Sequence, residues 1–139
     1  MIKKSVLTLV VSSSETLQNG LLSLTTTIPP IGAVLVAEDF VSALRMIDNH
    51  QPALIILDAS LLKVQDVVKQ IKNQWPDIRL LVLVEDVIQQ KKAQESGADS
   101  VLIKGYSPQK LIAIVESLID QREDTPLPQT ETEGAANPN

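Results

Sequence analysis

The chain has 139 residues and a net charge of −5, with 44% apolar residues, 2% aromatics and no cysteine. That length suits one domain with an aliphatic core, and the shortage of rings argues against stacking flavins or single-stranded nucleic acid. No basic stripe invites nucleic acid, and the missing cysteines exclude disulfides, thiol catalysis and zinc–thiolate centres, which fits a cytoplasmic protein.

In chain order, Met1-Ile2-Lys3-Lys4 and the apolar run Val6–Val11 have the outline of a secretory leader. The run is short, however, and polar Ser12-Ser13-Ser14-Glu15 follows without a small-residue cleavage site. A first buried strand is the better reading. Leu17, Leu21 and Leu24 then mark a first helix, with Ser12 and Glu15 at the spacing of a capping box. A second strand, Ala33–Ala37, leads to Glu38-Asp39 as the cap of a helix carrying Val41, Leu44, Met46 and Ile47. His50 ends that helix and is expected to face solvent.

The third strand, Ala53–Leu57, runs into Asp58, and Val64, Val67, Val68 and Ile71 mark the next helical face. That helix stops at Trp75-Pro76, with Trp75 read as a packing cover. Strand four is Leu80–Val84. Glu85-Asp86 starts a polar helix over Val87–Ser96, ended by Gly97. Strand five, Ser100–Ile103, ends at Lys104. Ser107 and Pro108 open a last helix with Leu111, Ile114, Val115, Leu118 and Ile119 on its buried face. Residues 1–121 are thus expected to form one domain. Residues 122–139, acidic and rich in proline with little apolar bulk, are expected to be a disordered tail or linker stub. No apolar run approaches the ~20 residues of a membrane span, and no internal repeat is present.

Each strand run is apolar at consecutive positions, as in parallel strands covered on both faces. Five β-α units in strict alternation predict an α/β fold, a doubly wound five-stranded parallel sheet in a three-layer sandwich. Chemistry in such sheets lies beyond the carboxyl ends of the strands. The residues to watch are therefore Ser12–Ser14, Glu38-Asp39, Asp58, Glu85-Asp86 and Lys104. Taken singly, Asp58 reads as the cap of the next helix and Lys104 as a solvated charge. Glu85 reads either as a helix start or as a second carboxylate competing for Lys104.

Taken together, the Leu57-Asp58 after strand three, Gly97-Ala98-Asp99 before strand five and the Lys104 that ends it resemble the response-regulator receiver family, over about residues 3–121. The resemblance implies the flavodoxin-like layering and a non-enzymatic signalling module of a two-component phosphorelay. It implies that Asp58 is the phosphoacceptor, taking the phosphoryl group from a sensor histidine kinase, and that Lys104 pairs with the phosphoryl oxygens. It also implies a homodimer through the face of helix four, strand five and helix five.

The chain departs from the family at several positions. Ser12 and Ser13 replace the acidic pair that holds Mg²⁺, an ion that prefers carboxylate oxygens, so only a weak Mg²⁺ site on Asp58 is expected. Val84 and Val101 stand at the two switch positions, where a hydroxyl residue and an aromatic are usual. Glu85 replaces a small residue, and Gly105 replaces a proline. Two functions follow, a phosphorylated receiver or a phosphorylation-independent pseudo-receiver acting by interaction or dimerisation. A remote third is a flavodoxin-like phosphate or FMN binder using the polar Ser12–Thr16 loop.

Overall fold

A computed structural model describes residues 6–60 and 63–124. Five strands alternate with five helices: β1 Val6–Val11, α1 Glu15–Thr25, β2 Ile31–Ala37, α2 Phe40–His50, β3 Leu54–Asp58, α3 Val64–Gln74, β4 Arg79–Val84, α4 Val87–Ser96, β5 Ser100–Ile103 and α5 Pro108–Asp124. All strands pair in parallel in the order β2-β1-β3-β4-β5. The alternation and the doubly wound sheet are those expected from the apolar runs.

The consecutive apolar residues divide between two cores, because successive side chains in a strand point to opposite faces. Leu9, Val11, Ile55, Leu57, Val82 and Val84 belong to one buried cluster, completed by Ala43 and Ile47 of α2, Val67, Val68 and Ile71 of α3, and Ala93 of α4. Val10, Ile56, Leu81, Leu83 and Leu102 join the other, with Leu21 of α1 and Leu111, Val115 and Leu118 of α5. Both faces of the central strands β1, β3 and β4 are therefore dry, while the edge strands β2 and β5 are only partly covered. α4 contributes only Ala93 to a core, in keeping with its polar sequence, and Val87 and Ile88 in its first turn lie open to solvent.

Helix ends follow local chemistry. The Asp39 and Asp86 carboxylates accept from the backbone N–H of Ser42 and Gln89, at 2.7 and 2.9 Å. Gly97 ends α4 at φ +111°, a left-handed turn that a side chain would strain. Ser107 Oγ accepts from the Lys110 N–H at the start of α5, as its position before Pro108 suggested. His50 is exposed at the end of α2, and Trp75 lies half-buried over the core beneath α3.

Four local readings are corrected. The capping box on Ser12 and Glu15 does not form; Ser14 caps α1, accepting from the Leu17 N–H at 3.2 Å. Asp58 does not cap α3, which starts at Val64 with no side-chain cap. β2 begins two residues earlier than its apolar run, at Ile31. Finally, α5 continues to Asp124, so residues 122–124 of the expected tail are helical. The rest of that tail, residues 125–139, and the leader-like Met1–Ser5 lie outside the described residues. Among the described residues no helix is long and apolar enough to cross a membrane.

Candidate functional site

The order of the strands fixes the site. The chain steps from β1 outward to β2 and then back across to β3, so β1 and β3 flank the switch in direction, where a crevice opens beyond their carboxyl ends. Val11 lies level with Leu57, which brings the residues that follow, Ser12 and Asp58, side by side. Val84 lies level with Ile103, which does the same for Glu85 and Lys104.

Asp58 is 2% exposed, and both of its oxygens are engaged. Oδ1 accepts from Lys104 Nζ at 2.8 Å and from the Ser60 N–H at 3.0 Å. Oδ2 accepts from Ser12 Oγ at 3.0 Å. Ser12 is fully buried, and its hydroxyl also accepts from the Ser14 N–H at 3.1 Å. Its single proton therefore points at Asp58. The Ser12 carbonyl accepts from Gln18 Nε2, which ties the turn back to α1.

Lys104 is shared. Its ammonium donates to Asp58 and, at 2.7 Å, to Glu85 Oε2. The Glu85 backbone N–H donates to Gln89 Oε1 at 2.7 Å, so the carboxylate is carried on an anchored turn although its side chain is 50% exposed. The competition between Asp58 and Glu85 is resolved as a bridge, with one ammonium between two carboxylates.

Burial works against the Asp58 carboxylate and is the largest single influence on it. Hydrogen bonds from Lys104, Ser60 and Ser12 together outweigh it and hold the group below its ordinary range. Burial likewise opposes the Lys104 ammonium most, but the bonds to Asp58 and Glu85 prevail and raise its pKa. Tyr106, two residues after Lys104, packs half-buried beside the α5 core. Burial pushes its phenol up, with Lys104 pulling the other way and Asp58 adding to the rise.

The family model for the response regulator receiver domain matches residues 9–116. The chain belongs to that family. It is similar to the response regulator MprA of Mycobacterium sp. (strain KMS), at 28% identity over 103 residues, 68% of this chain and 45% of that protein. It thus spans about half the length of the curated relatives it matches. Among solved structures, the signal receiver domain of an HD domain-containing protein from Pseudomonas fluorescens Pf-5 superposes with a TM-score of 0.81 at 21% identity, covering 91% of this chain and 95% of that one. An orphan response regulator of H. pylori superposes with a TM-score of 0.74 at 20% identity, covering 85% and 99%. These structural likenesses carry the fold, a receiver fold of five parallel strands and five helices.

Receiver domains typically bind Mg²⁺ at their phosphorylation site. Here the crevice brings together Asp58, Ser12, Lys104 and Glu85, while Ser13 faces solvent. Among the described residues no three acidic, histidine or cysteine side chains gather where they could hold a metal ion. At the two positions where the family resemblance leads one to expect switches, Val84 is fully buried and Val101 packs half-buried in the same apolar cluster, so hydrocarbon fills both places. Gly105 adopts φ +99°, a turn no proline could make.

The sequence reading missed one contributor, Ser60, which acts through its backbone N–H, a donor that no side-chain pattern announces.

Proposed function

We propose that this receiver domain signals through protein contacts without efficient phosphorylation of Asp58, as a pseudo-receiver. One observation carries the reading: both oxygens of Asp58 accept hydrogen bonds from the protein, and one of them holds a lysine that a second carboxylate also occupies. A nucleophilic carboxylate needs a free oxygen and a cation to gather the phosphoryl oxygens. Ser12 supplies a proton donor where a receiver supplies a metal-binding carboxylate. This donor set does not fit Mg²⁺, which takes oxygen ligands at close range and surrenders its waters reluctantly. Any Mg²⁺ bound through Asp58 would be weak.

Response regulators partner with sensor histidine kinases, and a kinase or another signalling protein would meet this chain by docking rather than by phosphoryl transfer. The face of α4, β5 and α5 is the proposed contact, for a second copy or an effector, with exposed Val87 and Ile88 at its edge. Residues beyond α5 would serve as a linker in a longer cytoplasmic protein, in line with the greater length of the relatives. The flavin reading loses its cradle, since Ser12 is committed to Asp58 and Ser14 to capping α1.

The test is incubation with Mg²⁺ and acetyl phosphate, followed by intact mass. The wild type is expected to gain no phosphoryl mass. A gain that Asp58→Asn abolishes would overturn the proposal and make Asp58 the phosphoacceptor, with Lys104 on the phosphoryl oxygens.

A further inference from the structure

We propose that Glu85 is an internal anion that fills the oxyanion position on Lys104 and so keeps phosphate-like ligands out of the crevice. The inference rests on the phosphorylation-independent reading and names what enforces it. Lys104 Nζ lies 2.8 Å from Asp58 and 2.7 Å from Glu85, both in the range of charge-assisted hydrogen bonds. The residue level with Ile103 in the neighbouring strand is Val84, so the strand register itself delivers Glu85 to Lys104. The turn is held on its far side too, by the Glu85 N–H on Gln89 Oε1 and by Asp86 capping α4. Glu85 is therefore presented to the ammonium rather than drifting over it.

The charges show what the plug excludes. Asp58, Lys104 and Glu85 together carry one net negative charge, which repels an incoming dianion at close range. Without the Glu85 carboxylate the cluster of Asp58 and Lys104 is neutral and one ammonium hydrogen is released, while the amino end of α4 stays capped by the Asp86 carboxylate. The ligand class admitted by that change is a small tetrahedral oxyanion.

The experiment titrates inorganic phosphate into the full chain without divalent ions, at constant ionic strength, and follows backbone amide spectra. Wild type, Glu85→Ala, Glu85→Gln and Glu85→Ala with Lys104→Met are compared. The Glu85→Ala protein is expected to show saturable shifts around residues 58, 85 and 104, with affinity on the order of ten-fold above wild type. Glu85→Gln, which keeps the shape and loses the charge, falls between them and covers the case in which the alanine variant folds poorly. Adding Lys104→Met abolishes the response. Equal titrations of wild type and both Glu85 variants would overturn the proposal, as would a response that survives Lys104→Met.

The two readings fail separately. Acetyl phosphate labelling of a wild type that ignores free phosphate would sink the phosphorylation-independent reading and strip the plug of the role of enforcing it, leaving only its exclusion of free phosphate. An unlabelled wild type that titrates like Glu85→Ala would do the reverse.

Discussion

The sheet carries a lysine–carboxylate cluster at each edge, and the two differ in what the lysine holds. At the amino edge, Lys72 Nζ donates to Asp99 Oδ2 at 2.8 Å and to the carbonyls of Ile78 and Pro76 at 2.8 and 3.1 Å. Asp99 Oδ2 also accepts from the Leu80 N–H at 2.8 Å, and Arg79 lies 3.6 Å away. All three ammonium hydrogens are used, two of them on backbone. This cluster joins the end of α3, the loop into β4 and the start of β5, so it can change only if those loops change. At the carboxyl edge, Lys104 holds two side-chain carboxylates, one buried and one half-exposed. Side chains can be exchanged for a ligand or a partner while the backbone stays in place. The same residue types thus make a structural staple at one edge and an adjustable site at the other.

The comparison breaks most readily at Asp99. Asp99→Ala takes the carboxylate partner from Lys72, which keeps only the carbonyls of Ile78 and Pro76, and removes the side-chain acceptor of the Leu80 N–H, so a stability loss of about 3 kcal/mol is expected. Chemical denaturation measures it, and amide signals around Asp58 should stay where they are. A loss below about 1 kcal/mol would show that the amino-edge cluster is no staple. Lys104→Met comes next. It leaves a buried carboxylate without its cation, yet Ser12 and Ser60 still donate to it, so the expected loss is smaller, about 2 kcal/mol. An unchanged denaturation midpoint would count against the pairing of Asp58 with Lys104.

The difference between the edges also explains what could be read in advance. Strand ends carrying Asp58 and Lys104 were legible, because buried parallel strands write themselves as unbroken apolar runs and the first polar residue afterwards marks the edge. α4 was legible from Gly97 and Asp86 alone. The behaviour of Ser12 was not. Three serines in succession are locally equivalent as caps, and the spacing to Glu15 favours the wrong one. Only Asp58, 46 residues away in sequence, selects Ser12 to turn inward and leaves Ser14 to cap the helix. The Gly97-Ala98-Asp99 string was read as a family sign, and its physical work lies at the opposite edge from the site it helped to identify.

The smallest effect is in pH and sharpens the carboxyl edge alone. Asp58 is held below its ordinary 3.8, so the unfolded chain takes up a proton before the folded one as pH falls. Its stabilisation is therefore complete above that value and is lost as pH drops through the lower folded pKa. Lys104 is held above its ordinary 10.5, so its contribution is complete below that value and lost as pH rises through the raised one. The stability difference between wild type and Lys104→Met should accordingly be level from about pH 5 to about pH 9 and shrink at both extremes. A slope inside that window would mean that another titrating group shares the crevice, and the bridge of one ammonium between two carboxylates would no longer account for the site.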